Sequence, residues 1–98
     1  MEQEIEGAVW EMVQLCSWMT DEDVGRFRRL FRVLLGVESD EWGGVVAEES
    51  FALWRRSSEV GDRRREWAFY YQYCEACAFE RGEEYRWPEM PVEIAQLP

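Results

Sequence analysis

The chain has 98 residues and a net charge of −10, from 21 acidic and 11 basic side chains. Its length sets one domain. The 47% apolar content, with six Trp, four Tyr and five Phe, excludes a wholly disordered chain and makes a core attainable without disulfides. A negative excess of this size argues against non-specific binding to nucleic acid or an anionic membrane and points to a basic partner.

Residues 2–19 read as a first helix. Ile5, Ala8, Val9, Met12, Leu15, Cys16 and Met19 fall on one face at amphipathic spacing. Glu2, Glu4 and Glu6 crowd its start, where the helix dipole favours negative charge. Trp10 and Trp18 lie off that stripe; packing against neighbouring segments is the favoured reading, and a role as exposed contact residues is the alternative. Thr20 ahead of Asp21, Glu22 and Asp23 reads as an N-cap with an acidic first turn. It opens a second helix to about residue 35, with Val24, Phe27, Leu30, Phe31, Leu34 and Leu35 inward and Arg26, Arg28, Arg29 and Arg32 outward. A single helix running through residues 19–24 is the alternative. Gly36 is the expected stop. Residues 37–44, with Ser39, Asp40 and Trp42-Gly43-Gly44, have the composition of a loop. A third helix is expected at about 45–57, with Val46, Ser50, Leu53 and Trp54 on one face and residues 57–61 as the next connection.

Residues 62–82 hold the heaviest apolar side chains and are expected to be the helix the others pack against. Trp67, Tyr70, Tyr71, Cys74, Cys77 and Ala78 form its apolar arc, and Gln72 and Glu75 point away. Phe69 and Phe79 fall outside the arc, so another segment or a partner must cover them. Gly82 is a plausible end. Residues 83–98 contain all three prolines and cannot be one helix. Tyr85, Trp87, Met90, Val92, Ile94 and Leu97 make this tail apolar enough to dock across the bundle, over Phe79. The fold class is therefore all-α: a compact bundle of about four helices in residues 1–82, with a Pro-containing tail packed across it.

Charge is segregated along the chain. Residues 1–23 carry seven acids and no base, 24–37 four Arg and no acid, and 38–50 five acids and no base. Such blocks either neutralise one another across neighbouring helices or leave a one-sign docking surface. Pairing cannot consume every acid at −10. Glu2, Glu4, Glu6, Asp40, Glu41, Glu48, Glu49, Glu83 and Glu84 are the candidates for that surface, with Trp10, Trp18 and Phe79 as aromatic candidates.

The chemistry read from the residues is non-catalytic. His is absent, which removes the commonest general base and metal ligand. No G-x-S-x-G, P-loop or G-x-G-x-x-G occurs. Cys74-Glu75-Ala76-Cys77 has C-x-x-C spacing, but Cys16 alone remains to extend it toward a metal site, and the reading is of reduced structural thiols. No metal and no cofactor is expected. Three cysteines suit a reducing compartment, and neither a membrane span nor a positive signal-peptide start is present, so the expected location is cytoplasmic.

Two short stretches resemble known families. Trp42-Gly43-Gly44, with Tyr71 and Glu75, resembles the W-x-G turn and C-terminal Y-x-x-x-[DE] signal of the WXG100 (ESAT-6-like) secreted proteins. That resemblance implies two long antiparallel helices, export without a cleaved signal, and dimers. Met19 to Val24 leading into Phe27, Leu30 and Phe31 resembles the helix 1–2 junction of death-effector and pyrin domains, which implies a homotypic adaptor. The residues themselves favour a small acidic protein-binding module, of the kind phages and viruses use to block a host machine by occupying a basic, nucleic-acid-binding surface. A homodimer is compatible with the sequence.

Overall fold

The computed structural model describes residues 1–38 and 42–97. They form α1 (Glu2–Leu15), α2 (Asp21–Leu34), α3 (Trp42–Val60), α4 (Arg63–Glu80) and the one-turn α5 (Val92–Ala95). The architecture is all-α, as expected from the periodicity. The two long helices implied by the WXG100 resemblance are not its plan. Trp42, Gly43 and Gly44 belong to the first turn of α3 rather than to an interhelix turn.

The helix ends follow local chemistry. Thr20 and Asp23 form a reciprocal capping box: Thr20 Oγ1 accepts from the Asp23 N–H at 3.2 Å, and Asp23 Oδ2 accepts from the Thr20 N–H at 2.9 Å. α1 ends at Leu15 and not at the expected 19, because the backbone leaves helical geometry at Cys16 (φ −119°, ψ 74°), and the box starts α2 afresh, which decides against one continuous helix. Asp62 caps α4 by accepting from the Arg65 N–H at 3.2 Å. Three helices stop alike. Gly36, Gly61 and Gly82 adopt φ of 79°, 77° and 71°. In each case the following N–H reaches five residues back: Val37 to the Arg32 carbonyl at 2.9 Å, Asp62 to Ser57 at 2.9 Å and Glu83 to Ala78 at 2.9 Å. These are Schellman closures, which the left-handed backbone at glycine makes inexpensive.

Each main helix packs antiparallel on its neighbour in the chain. The register shows in the contacts: Glu2 meets Arg32 and Glu6 meets Arg28, Asp23 meets Arg56 and Arg26 meets Glu49, and Phe51 meets Tyr73 while Trp54 meets Tyr70. The core joins Ile5 and Val9 of α1, Phe27, Leu30 and Val33 of α2, Val45, Val46 and Leu53 of α3, and Phe69 and Ala76 of α4. Phe27 and Phe69 touch edge to face at 6.5 Å.

α4 departs from expectation. Its buried residues are Phe69, Ala76 and Ala78, whereas Trp67, Tyr70, Tyr71, Cys74 and Cys77 are only half-buried. Apolar side chains run nearly all the way round this helix, so the wheel offered two faces; Phe69 and Ala76 took the core, and of the expected arc only Ala78 is buried. The bulkier face is partly roofed by the tail. Trp87 lies 5.7 Å from Trp67 and 6.4 Å from Tyr71, and Arg64 donates to the Leu97 carbonyl at 3.4 Å. The tail thus docks on the Trp67–Tyr71 side and not over Phe79, which meets Trp42 at 4.8 Å with the rings tilted by 56° and stays 59% exposed.

Candidate functional site

α2 carries four of the arginines and lies between acidic segments on both sides. Arg28 grips Glu6 with both arms, at 2.9 and 3.2 Å, and Arg32 reaches Glu2 at 2.7 Å, joining α2 to α1. On the other side Arg26 and Arg29 converge on Glu49 of α3 at 3.3 and 3.4 Å, and Arg29 also meets Glu48 at 3.9 Å. Asp23 meets Arg56 at 3.3 Å. The alternating charge blocks therefore neutralise one another in large part between adjacent helices.

This redraws the acidic surface. Glu49 is buried, at 2% exposure, and leaves the surface set: it is a carboxylate of the α2–α3 interface. Burial pushes its carboxyl above the ordinary value, and the two guanidiniums oppose that only in part. Glu2, Glu6 and Glu48 face solvent but are tied to arginines, and Glu83 pairs with Arg81 at 3.2 Å. The Arg28 pair holds the Glu6 carboxyl below its usual range. Asp40 and Glu41 lie outside the described residues. Of the sequence candidates, Glu4 and Glu84 are exposed with no ion pair among the described residues. Glu11, Asp21, Glu80, Glu89 and Glu93 join them.

The aromatic candidates divide. Trp10 stands 65% exposed on α1. Trp18 is half-buried and structural: its Nε1–H donates to Asp62 Oδ2 at 2.9 Å, so the α1–α2 turn is anchored to the start of α4. Buried Cys16 sits by the same carboxylate, at 3.8 Å, and burial pushes its thiol up to about 11.

One feature escaped the sequence reading because its residues were assigned to the core. Trp54, Trp67, Tyr70 and Tyr71 line an open cleft of about 520 Å³ between α3, α4 and α5, with Arg63, Glu66 and Ile94 completing it. The rings run on in contact, Trp54–Tyr70, Tyr70–Tyr71 and Tyr71–Trp67 each at 4.9 Å, with interplanar angles of 57°, 80° and 55°. The signal available was the clustering of Trp67, Tyr70 and Tyr71 on a helix that already had Phe69 for its core side.

Cys74 and Cys77 are free and half-buried among tyrosines. The neighbouring Cys74 and Cys77 thiols raise the Tyr70 and Tyr73 phenols, while half-buried Tyr85 is pushed up to about 12, chiefly by partial desolvation. Among the described residues no three His, Cys, Asp or Glu side chains gather as a metal site would require, and no helix is long and apolar enough to cross a membrane. Comparison with protein-family models, curated proteins and solved structures finds no significant match to the chain.

Proposed function

We propose that the protein is a non-catalytic binding module for a basic protein surface. One arrangement supports this reading. The carboxylates left over from the interhelix pairs are exposed and interspersed with exposed apolar side chains. On α1, Glu4, Glu11 and Leu15 follow at helical spacings of seven and four, and Leu15 is 64% exposed. At the end of α4 and along the tail, Glu80, Glu84, Glu89 and Glu93 accompany Phe79 and Val92, the latter 65% exposed. Charge of one sign steers an opposite partner, and exposed apolar chains supply contact area on arrival. A protein that normally holds nucleic acid presents the matching surface. Occupying that surface, and so inhibiting it, is the form of the function the charge favours.

The test is capture of an immobilised arginine-rich peptide, compared between about 50 and 500 mM salt. Binding should fall steeply with salt. It should fall again when Glu4, Glu11, Glu80, Glu84, Glu89 and Glu93 are changed together to Gln. Affinity indifferent to both overturns the proposal.

A further inference from the structure

We infer that the cleft between α3, α4 and α5 receives the guanidinium of a partner's arginine. The inference rests on the reading of the protein as a binder of basic surfaces and names where one basic side chain is held. α4 satisfies the core with Phe69, Ala76 and Ala78, so Trp67, Tyr70 and Tyr71 are free to face the cleft. Neighbouring rings tilted 55–80° to one another give concave walls that present both faces and edges. Electron-rich ring faces attract a cation, indole most strongly, and a planar guanidinium also stacks. Glu66, half-buried in the wall, has no ion pair among the described residues and supplies the countercharge. Excess negative charge over the whole chain draws a cation in before contact.

Arg63 makes the inference sharp. It stands exposed on the same cleft, one turn before Glu66, and has no ion pair among the described residues. A cationic ligand is repelled by it, whereas an anionic ligand would depend on it.

The probe is acetyl-Gly-Arg-Gly-amide, titrated into the full chain while the indole N–H signals of Trp54 and Trp67 are followed by NMR. The neutral isostere with citrulline in place of arginine is the control. The arginine peptide should shift both signals saturably and bind about tenfold tighter than the citrulline peptide. Glu66→Gln should weaken it by about three- to tenfold, and Arg63→Gln should strengthen it by about two- to threefold. Both substitutions are on an accessible wall, and unchanged far-UV circular dichroism verifies folding. Equal binding of the two peptides makes the cleft merely apolar. No shift up to about 100 mM, or tighter binding of acetate than of the arginine peptide with loss in Arg63→Gln, also overturns the inference. Salt-sensitive capture that survives any of these results leaves the proposed function standing and removes only the cleft.

Discussion

Glu49 sits where a carboxylate is expensive, and the two arginines that meet it are 34% and 48% exposed in their side chains. The asymmetry decides what mutation does. Glu49→Gln keeps the shape and leaves guanidiniums that water can reach, so it should change stability by no more than about 1 kcal/mol. Changing Arg26 and Arg29 together to Gln strands a buried charge and should cost about 3 kcal/mol by urea unfolding. The pH dependence has a definite sign. Because the folded-state value of Glu49 is raised above its ordinary 4.5, its contribution is fully present below that pH and is lost as pH rises through the raised value. The wild type should therefore gain on Glu49→Gln as the solution is acidified. Glu6, held low by Arg28, runs the other way and loses its contribution as pH falls. Asp62 joins more elements than any cap requires, since it holds the Arg65 N–H and the Trp18 indole together. Asp62→Ala should cost about 2 kcal/mol, a cap plus a half-buried hydrogen bond, and should shift Trp18 fluorescence as the α1–α2 turn comes loose. Loss of stability without any fluorescence change would detach Trp18 from that explanation.

Element boundaries were legible where a local rule governs them. Thr20 with Asp23 started α2, and Gly36 and Gly82 ended their helices, because capping and left-handed backbone are decided within a few residues; the end of α3 was not legible, since the helix runs on to Val60 past the expected 57 before Gly61 stops it. Two further misreadings, of where α3 starts and of which side of α4 is buried, have different reasons. Trp42-Gly43-Gly44 has a loop's composition, yet α3 begins there because tertiary packing outweighs weak propensity. Gly43 is buried against the Glu80 side chain, where a Cβ would meet only that exposed, flexible carboxylate arm, which can swing aside. α4 was misread because periodicity finds apolar faces and does not rank them. Phe69, outside the arc drawn through Trp67, Tyr70 and Tyr71, is the aromatic that reaches α2. The cleft was hidden by the same error. The ranking can be measured: Phe69→Ala should cost about 3–4 kcal/mol, as core truncation does, while Trp67→Ala, removing a larger side chain from the half-open face, should cost less than about 2 kcal/mol. The reverse order would restore the arc as the core side of α4.

For the whole molecule, net charge is set by composition, but where it remains unpaired is a property of the packing. The basic α2 lies between acidic neighbours, so the segregated blocks that looked like a docking face are used first to align three helices. The exposed carboxylates left unpaired among the described residues are distributed over α1, the start of α2, the end of α4 and the tail. The tail is the segment whose removal separates fold from surface. None of its described residues is buried, and none belongs to the core shared by the four long helices. Its attachment is Trp87 on Trp67, the Trp87 Nε1–H donating to Glu75 at 3.3 Å, and the Leu97 carbonyl held by Arg64. Ending the chain at Gly82 should leave α1–α4 folded and cooperative at a cost of about 1–2 kcal/mol, a fall of about 5–15 °C in Tm. The same truncation removes Ile94 from the cleft and Glu84, Glu89 and Glu93 from the acidic surface, so capture of an arginine-rich peptide should weaken by far more than stability does. A truncated chain that lost its helical circular dichroism would place the tail inside the folding unit. One that stayed folded and bound with full affinity would confine the working surface to α1 and the end of α4.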